Sequence, residues 1–598
     1  LRLIILLLLV ASSLFSKDLE AGLAERMNDV IHKEQLVGAS WALIDGQAVI
    51  LGAAGVSNVA SGNELTASHK MHLGSIQKTV MAAGVLVMVS RGKLSLDARV
   101  QDILPNLVFN NPWQNTHPVT VRDLVNHTAG LQNLRLWHLL NTRAEVDTPL
   151  EQMFIDDEAL LDIGIKPGTT VSYSNVGFNL LALVIETLTG QPYEQVLAER
   201  ILKPLAMNDS TFLFTTQCHG HCGQYGAPRL AFGHLDQHRE IAAIPMILRG
   251  AGQFTSTPGD MAKFAKFLMS DGKGLISPEL IKQIGTPVST TDSVFWDLNV
   301  GGSLGLWRRD RHGVIGLCHG GNTTGFKGNF CIFPDENKAF FFISNSDSET
   351  GDYGKLEQVL IESLQITPTP VSATMEEIYG AKDWHIRYEP VLSPVASFTY
   401  IDKLFNTVQL SGDFTKLVLS GLQHPTLILN SVGEGIYQAD NRSSASHVLG
   451  VEKPGTLTLS TGFTTYRQAD NLQFVSLWAS LVLGLISLLF LLCRGLYCLL
   501  WSRGEHKRLP VVTAFYMFPV LLIPLPFLLT QPFFNFGNIN AGSVLLALSC
   551  LVALALNVAA LWQNRTGNKL DSFAIAGVIQ WFLVLAWWGL FPIMLWRI

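Results

Sequence analysis

Three stretches without a single charged residue, 471–493, 509–564 and 572–596, fill the last part of this chain. A helix needs about 20 apolar residues to cross a bilayer. The stretches therefore predict a membrane domain over 471–598 with four spans, near 473–494, 511–530, 541–562 and 573–596. Pro519, Pro524 and Pro526 should kink the second span, which neighbouring helices make tolerable by re-satisfying the backbone. Loop 502–508 carries Arg503, Lys507 and Arg508, and loop 563–571 carries Arg565 and Lys569, whereas 531–540 carries no charge. The positive-inside tendency then puts the first and third loops in the cytoplasm and residues 17–470 outside. The beginning of the sequence agrees. Leu1–Val10 is apolar apart from Arg2, and small residues follow through Ser16, the pattern of a secretory signal peptide over 1–16. The expected location is the bacterial inner (cytoplasmic) membrane, multi-pass, with the large N-terminal part on the periplasmic or extracellular side.

Composition narrows the remainder. Charged residues are 15% and hydrophobic residues 48% of the chain, against about 25% charged in ordinary soluble domains, which excludes a disordered chain. The formal charge of −6 divides into +5 over 471–598 and −11 before it. No basic face for nucleic acid follows from that balance. Seven cysteines among 598 residues exclude a disulfide scaffold.

Residues 38–54 hold two apolar strands around Asp45-Gly46, a strong hairpin signal. A second β cluster lies far downstream, at 313–319, 328–333 and 339–344. Between the two, helical patterns cover 75–91, 120–126, 150–163, 176–190, 192–202 and 257–270; Thr257, Pro258 and Asp260 supply the cap, first-turn proline and capping acid of the last. One sheet built from both ends of a domain, with a helical insertion, is the expected α+β arrangement over 17–366, closed by a helix at 354–364. A linker over 367–394 follows, with Thr367-Pro368-Thr369-Pro370 at its start. Short alternating runs separated by turn residues then predict a small antiparallel β domain at 395–468, acting as a spacer or lid.

Ser-x-x-Lys occurs three times, at Ser75–Lys78, Ser90–Lys93 and Ser270–Lys273. Serine is a poor nucleophile until a base takes its proton, and a lysine three residues on reaches it only from the same helical face. Gly92 and Gly272 interrupt the second and third matches at helix ends. Ser75-Ile-Gln-Lys78 instead opens a glycine-free stretch, which places Ser75 at a helix N-terminus with its N–H free for an oxyanion. Tyr173-Ser-Asn175 precedes the 176–190 helix; a cation near that phenol would lower its pKa. His319-Gly320-Gly321 ends the strand 313–318, where glycines let a substrate backbone lie along the edge, and Asn322 could offer a second oxyanion N–H.

Those three patterns, in that order and on those elements, make the chain resemble the class C β-lactamase and low-molecular-weight penicillin-binding protein family of serine hydrolases, the peptidase S12-like group. Val119–Leu131, Ser174–Leu183 and Gly250–Asp260 are similar to further family segments, and the resemblance covers about residues 20–365. It implies a β-lactamase/transpeptidase-like fold and these roles: Ser75 becomes acylated, Lys78 and Tyr173 share the proton transfers, Asn175 hydrogen-bonds Lys78 and the substrate amide, and the N–H groups of Ser75 and Asn322 hold the oxyanion. His319, with Gly320 and Gly321, binds substrate. Many relatives have lysine at the His319 position, a permanent cation for a substrate carboxylate. A histidine is largely neutral at pH 7, which argues against strong binding of a β-lactam carboxylate.

The expected activity is a membrane-anchored hydrolase of amide or ester bonds, a peptidase or esterase on D-amino-acid or N-acyl peptides, needing no cofactor and no metal. Its partners are a small-molecule or peptide substrate and the lipid bilayer. The alternatives are a β-lactamase or D-Ala-D-Ala carboxypeptidase, and a non-catalytic sensor that keeps the fold. Cys218-His-Gly-His-Cys222 invites a zinc reading, but structural zinc sites draw ligands from separated elements; in an oxidising compartment a local disulfide is the better expectation. Strand alternation turns Cys318 away from the His319 face, towards a possible pairing with Cys331.

Overall fold

The computed structural model describes residues 20–218, 222–287, 300–369, 384–393, 395–413, 415–433, 435–453, 456–501 and 509–598. The expected signal peptide, most of the 367–394 linker and the basic 502–508 loop lie outside the described residues.

The Asp45-Gly46 turn joins Gly38–Asp45 to Ala48–Asn58, with Gly46 at φ +56°. Lys338–Ser344 returns from the far end of the domain to pair antiparallel with Gly38–Asp45, Ala42 opposite Phe341. The sheet has eight strands in the order Asn63–Glu64, Ala48–Asn58, Gly38–Asp45, Lys338–Ser344, Phe326–Phe333, Val314–Thr323, Leu306–Arg311 and Gly301–Ser303. Its central strands are apolar almost without interruption because both faces are covered: seven of the eight residues of Gly38–Asp45 are buried. On one face lie Leu23, Met27 and Ile31 of the 20–33 helix and Leu356, Leu360 and Leu364 of Gly354–Leu364, each set spaced by four so that it shares a helical face.

The other face carries the larger core. Its central helix, Gln77–Ser90, is buried at every position from Gln77 to Met88, so it is packed on all sides. Asn175–Thr189 and Pro258–Leu268 pack in the same core, and the cap expected from Thr257 is present, its hydroxyl accepting from Asp260 N. The helix expected over 150–163 is broken into Gln152–Asp156 and a 3₁₀ turn, Glu158–Leu161. At the break Asp157 adopts φ −146°, ψ 88° and its carboxylate accepts from Arg135 Nε at 2.7 Å; an ion pair outside the helix takes the residue that continuity would need.

The small β domain is a closed eight-stranded barrel, from Trp384–Pro390 to Thr465–Gln468. It opens at Trp384, earlier than the expected 395. Closure removes the unpaired edges of a free sheet, and Tyr388, Leu410, Leu417, Leu429 and Leu459 fill the core. Asp310, buried on the hydrolase sheet, ties the two domains: its carboxylate accepts from the N–H and hydroxyl groups of both Ser443 and Ser444.

Four apolar helical segments follow, Asn471–Trp501, Leu509–Thr530, Ala541–Gln563 and Lys569–Trp587, each long enough to cross a membrane. The second is split into Leu509–Phe515, Met517–Leu522 and Leu525–Thr530. Pro519 and Pro524 each lack an N–H and crowd the carbonyl four residues back. The fourth ends at Trp587 rather than 596, because the chain turns through Gly589 at φ +72°. The uncharged connection between the second and third segments holds a 3₁₀ turn, Phe533–Gly537, which packs against residues 137–143 of the hydrolase domain: Gly537 N donates to Leu140 O and Arg143 donates to Gly537 O.

Candidate active site

Gly74 lets the turn that carries Ser75 form. It sits at φ +50°, and a Cβ there would fall 2.5 Å from Asn322 O and 3.0 Å from Asn322 N. Gly321 is equally confined, since its Cβ would meet Leu73 O at 2.1 Å. Two glycines thus bring the 3₁₀ turn Gly74–Ile76 onto the strand Val314–Thr323, and the backbones of Ser75 and Asn322 into one corner.

Lys78 is the second residue of the central helix, one turn beyond Ser75, fully buried, and donates from Nζ to Ser75 Oγ at 2.9 Å and to Ala251 O at 2.7 Å. The Ala251 carbonyl is presented by Gln77, whose side chain accepts from Phe254 N and donates to Arg249 O. Burial lowers the Lys78 pKa from 10.5 to about 7, which leaves a large neutral fraction able to accept a proton. The expected hydrogen bond from Lys78 to Asn175 is not formed; Nζ donates to Ser75 Oγ and Ala251 O. Asn175 instead lines the cleft beside Ser75, at the start of Asn175–Thr189.

Tyr173 closes the group. Its ring faces Lys78 Nζ, 5.1 Å from the centroid, and its phenol shares a hydrogen bond with Ser75. Burial pushes the phenol above its ordinary range, and the Ser75 bond only partly opposes this. The phenol is therefore protonated at neutral pH. Beneath it His127 stacks ring on ring at 4.3 Å, held at φ +59° with Nδ1 accepting from Ser174 N. Trp307 also stacks with His127, at 5.7 Å, and Phe463 of the barrel packs on Trp307 at 5.4 Å.

His319-Gly320-Gly321 does not end its strand. Val314–Thr323 runs on through it, pairing with Phe326–Phe333 from Leu317 to Thr323. Pairing with Leu306–Arg311 stops at Cys318; beyond it Asn322 and Thr323 line the cleft, whereas His319, Gly320 and Gly321 are not among its lining residues. His319 is buried, its Nδ1 lies 2.7 Å from Gly320 O, and Nε2 has no hydrogen-bond partner among the described residues. Burial and the nearby Lys78 charge lower its pKa to about 3. Cys318 points to the opposite face, where it is disulfide-bonded to Cys331; Cys218 is bonded to Cys222, which removes the thiolates a zinc ion would need.

The other two Ser-x-x-Lys matches are excluded by geometry. Gly92 and Gly272 sit at φ +64° and +87°, ending their helices, while Ser90 Oγ accepts from Ser277 N and Ser270 Oγ donates to Phe267 O. Three contributors escaped the sequence reading: the Ala251 carbonyl, the His127 ring, and the apolar wall of the cleft. That cleft, about 370 Å³, is lined by Ser75, Asn175 and Asn322 together with Leu139, Phe214, Ile244 and Met246.

Known proteins share the fold and family of this domain. A family model described as "Beta-lactamase" matches residues 17–364. The chain is 26% identical over 360 residues to penicillin-binding protein 4 of Amycolatopsis lactamdurans, covering 57% of this chain and 89% of that protein. It is 24% identical over 349 residues to penicillin-binding protein 4* of Bacillus subtilis (strain 168), covering 56% and 72%. The crystal structure of SurE shares the fold, with a TM-score of 0.51 and 21% identity over 76% of this chain and 100% of that one. With more than half its length matched, and its hydroxyl, amine and phenol gathered in one corner, this chain belongs to the beta-lactamase family of serine hydrolases.

Proposed function

We propose that this protein is a membrane-anchored, outward-facing hydrolase that cleaves amide or ester bonds of D-amino-acid or N-acyl peptides through an acyl-enzyme on Ser75. The observation that carries the reading is the buried Lys78 amine 2.9 Å from Ser75 Oγ with its pKa near 7. Neutral Lys78 takes the Ser75 proton, directly or through Tyr173, as Oγ bonds to the carbonyl carbon. The N–H groups of Ser75 and Asn322 steady the oxyanion, each worth about 3 kcal/mol. The proton then passes by way of Tyr173 to the leaving nitrogen or oxygen as the C–N or C–O bond breaks. Water, losing its proton to the same pair, releases the acid and restores Ser75.

His319 argues for this substrate class over a β-lactam or a D-Ala-D-Ala terminus. With its pKa near 3 it is uncharged at neutral pH and offers no cation to a carboxylate. Outward placement draws on the four apolar segments and on the Phe533–Gly537 turn, which meets the hydrolase domain through the uncharged connection expected on the outer side. A screen of D- and L-aminoacyl amides beside short-chain esters and a chromogenic cephalosporin tests the reading. Turnover of amides or esters with little of the cephalosporin is expected; rapid turnover of the cephalosporin alone would replace the reading with a β-lactamase.

A further inference from the structure

Phe533 and Phe534, which belong to the membrane region, line the same cleft as Ser75. Their turn is firmly seated. Thr142 Oγ1 bonds Asn535 Oδ1 and accepts from Asn538 Nδ2, and Arg143 donates to Gly537 O. Gly537 lies so close that a Cβ would fall 2.4 Å from Leu140 O. The two rings meet edge to face at 5.5 Å, yet Phe533 remains 38% exposed and the adjoining Leu139 40%. They are held in place without being covered. The turn joins the ends of two membrane-length helices, and residues 531–540 carry no charge, so this wall of the cleft lies where a bilayer surface would be. At the other end Asn175, Asn322 and Thr323 supply polar groups beside the nucleophile.

A cleft that is polar at the nucleophile and apolar at a membrane-side wall suits an amphiphile. We infer that the substrate carries a long unbranched hydrocarbon chain that enters from the bilayer surface and lies against Phe533 and Phe534, with its scissile carbonyl at Ser75. This rests on the serine-hydrolase reading above and adds the chemical class of the substrate. Each methylene taken from water into such a wall contributes about 0.8 kcal/mol, roughly fourfold in kcat/KM, so chain length should be read directly in the rate.

The test uses the full chain in phosphatidylethanolamine/phosphatidylglycerol vesicles and two series of amides. One series places chains of two to twelve carbons on the acyl side, as N-acyl-aminoacyl p-nitroanilides; the other places them on the leaving side, as aminoacyl alkylamides. In at least one series kcat/KM should rise about tenfold or more with length, and the double substitution Phe533→Ser, Phe534→Ser should flatten that rise. No rise in either series would overturn the inference. So would a rise that survives the double substitution, since partition into the vesicles would then account for it. If the double variant fails to label at Ser75 with a fluorophosphonate, a dodecanoyl amide bearing a terminal diazirine is photolysed on the Ser75→Ala protein: crosslinks at 533–534 support the chain site, and crosslinks confined elsewhere overturn it. A wild-type chain that does not label at Ser75 would remove the hydrolase reading and this inference together, whereas a labelled enzyme indifferent to chain length would remove the inference alone.

Discussion

The imidazole of His127 lies flat against the phenol ring of Tyr173, with centroids 4.3 Å apart and planes 25° from parallel. Because His127 in turn rests on Trp307, and Trp307 on Phe463, a run of four aromatic rings links the barrel to the Tyr173 phenol. Burial and the Lys78 charge keep the His127 pKa well below its ordinary value, so the ring supports Tyr173 as a neutral slab and adds no charge beside Lys78.

His127→Leu is therefore expected to lower kcat about tenfold to a hundredfold while KM changes little, since a displacement near 1 Å at a reacting group carries a cost of that order. Phe463→Ala, at the far end of the run and outside the cleft, should lower kcat in the same sense but less. Steady-state kinetics with one amide substrate checks both. Equal losses in kcat and affinity would show a general loosening of the cleft instead of a misplaced phenol.

Tyr173→Phe keeps the ring and its stacking but deletes the proton carrier. A drop in kcat of about 10²- to 10⁴-fold is expected, with the circular dichroism spectrum and Tm unchanged. Ser75→Ala should abolish covalent labelling and turnover together.

Lys78 sets the pH dependence. The folded-state pKa, about 7, lies below the 10.5 of an exposed lysine, so between those values the unfolded chain binds more protons than the folded one. Stability should consequently rise with pH across that window, by up to about 1.4 kcal/mol per pH unit from this group, and the full cost of the buried amine is felt below pH 7. Lys78→Met should remove that slope, as denaturant titrations between pH 6 and 10 would show. In the wild type, kcat/KM should climb through an apparent pKa near 7. His319→Asn should leave that midpoint in place, because His319 titrates near 3.

Asp310 is the polar tie between hydrolase and barrel. Its carboxylate accepts from the N–H and hydroxyl groups of two serines while buried, so Asp310→Ala strands buried donors. A loss of about 2–4 kcal/mol is expected, visible as a lowered Tm. Asp310→Asn, which can satisfy only part of the set, should fall between.

Local chemistry explains what was legible beforehand. The glycines at 92 and 272 marked the two Ser-x-x-Lys matches that sit at helix ends, because a glycine there acts on its own neighbours, and the alternation of Cys318 and His319 follows from strand geometry alone. What escaped was non-local. His127 reaches Tyr173 across intervening loops, Ala251 contributes a carbonyl that every residue possesses, and Asp157 breaks its helix for an arginine on another segment. Trp384–Pro390 is a strand only because Val408–Gly412 and Thr465–Gln468 flank it in a closed barrel. Phe533 and Phe534 are indistinguishable in sequence from their apolar neighbours, and only their contacts with 137–143 bring them to the cleft.

The central claim is that buried Lys78 activates the Ser75 hydroxyl, and covalent labelling reads this most directly. Treating the full-length wild type and Lys78→Met with a fluorophosphonate probe, then mapping the adduct by peptide mass spectrometry, should give one modified residue, Ser75, in the wild type. The rate should rise as pH passes through about 7 and fall at least about a hundredfold in Lys78→Met. An adduct on another serine, or Ser75 labelled equally fast without the lysine, would contradict the account.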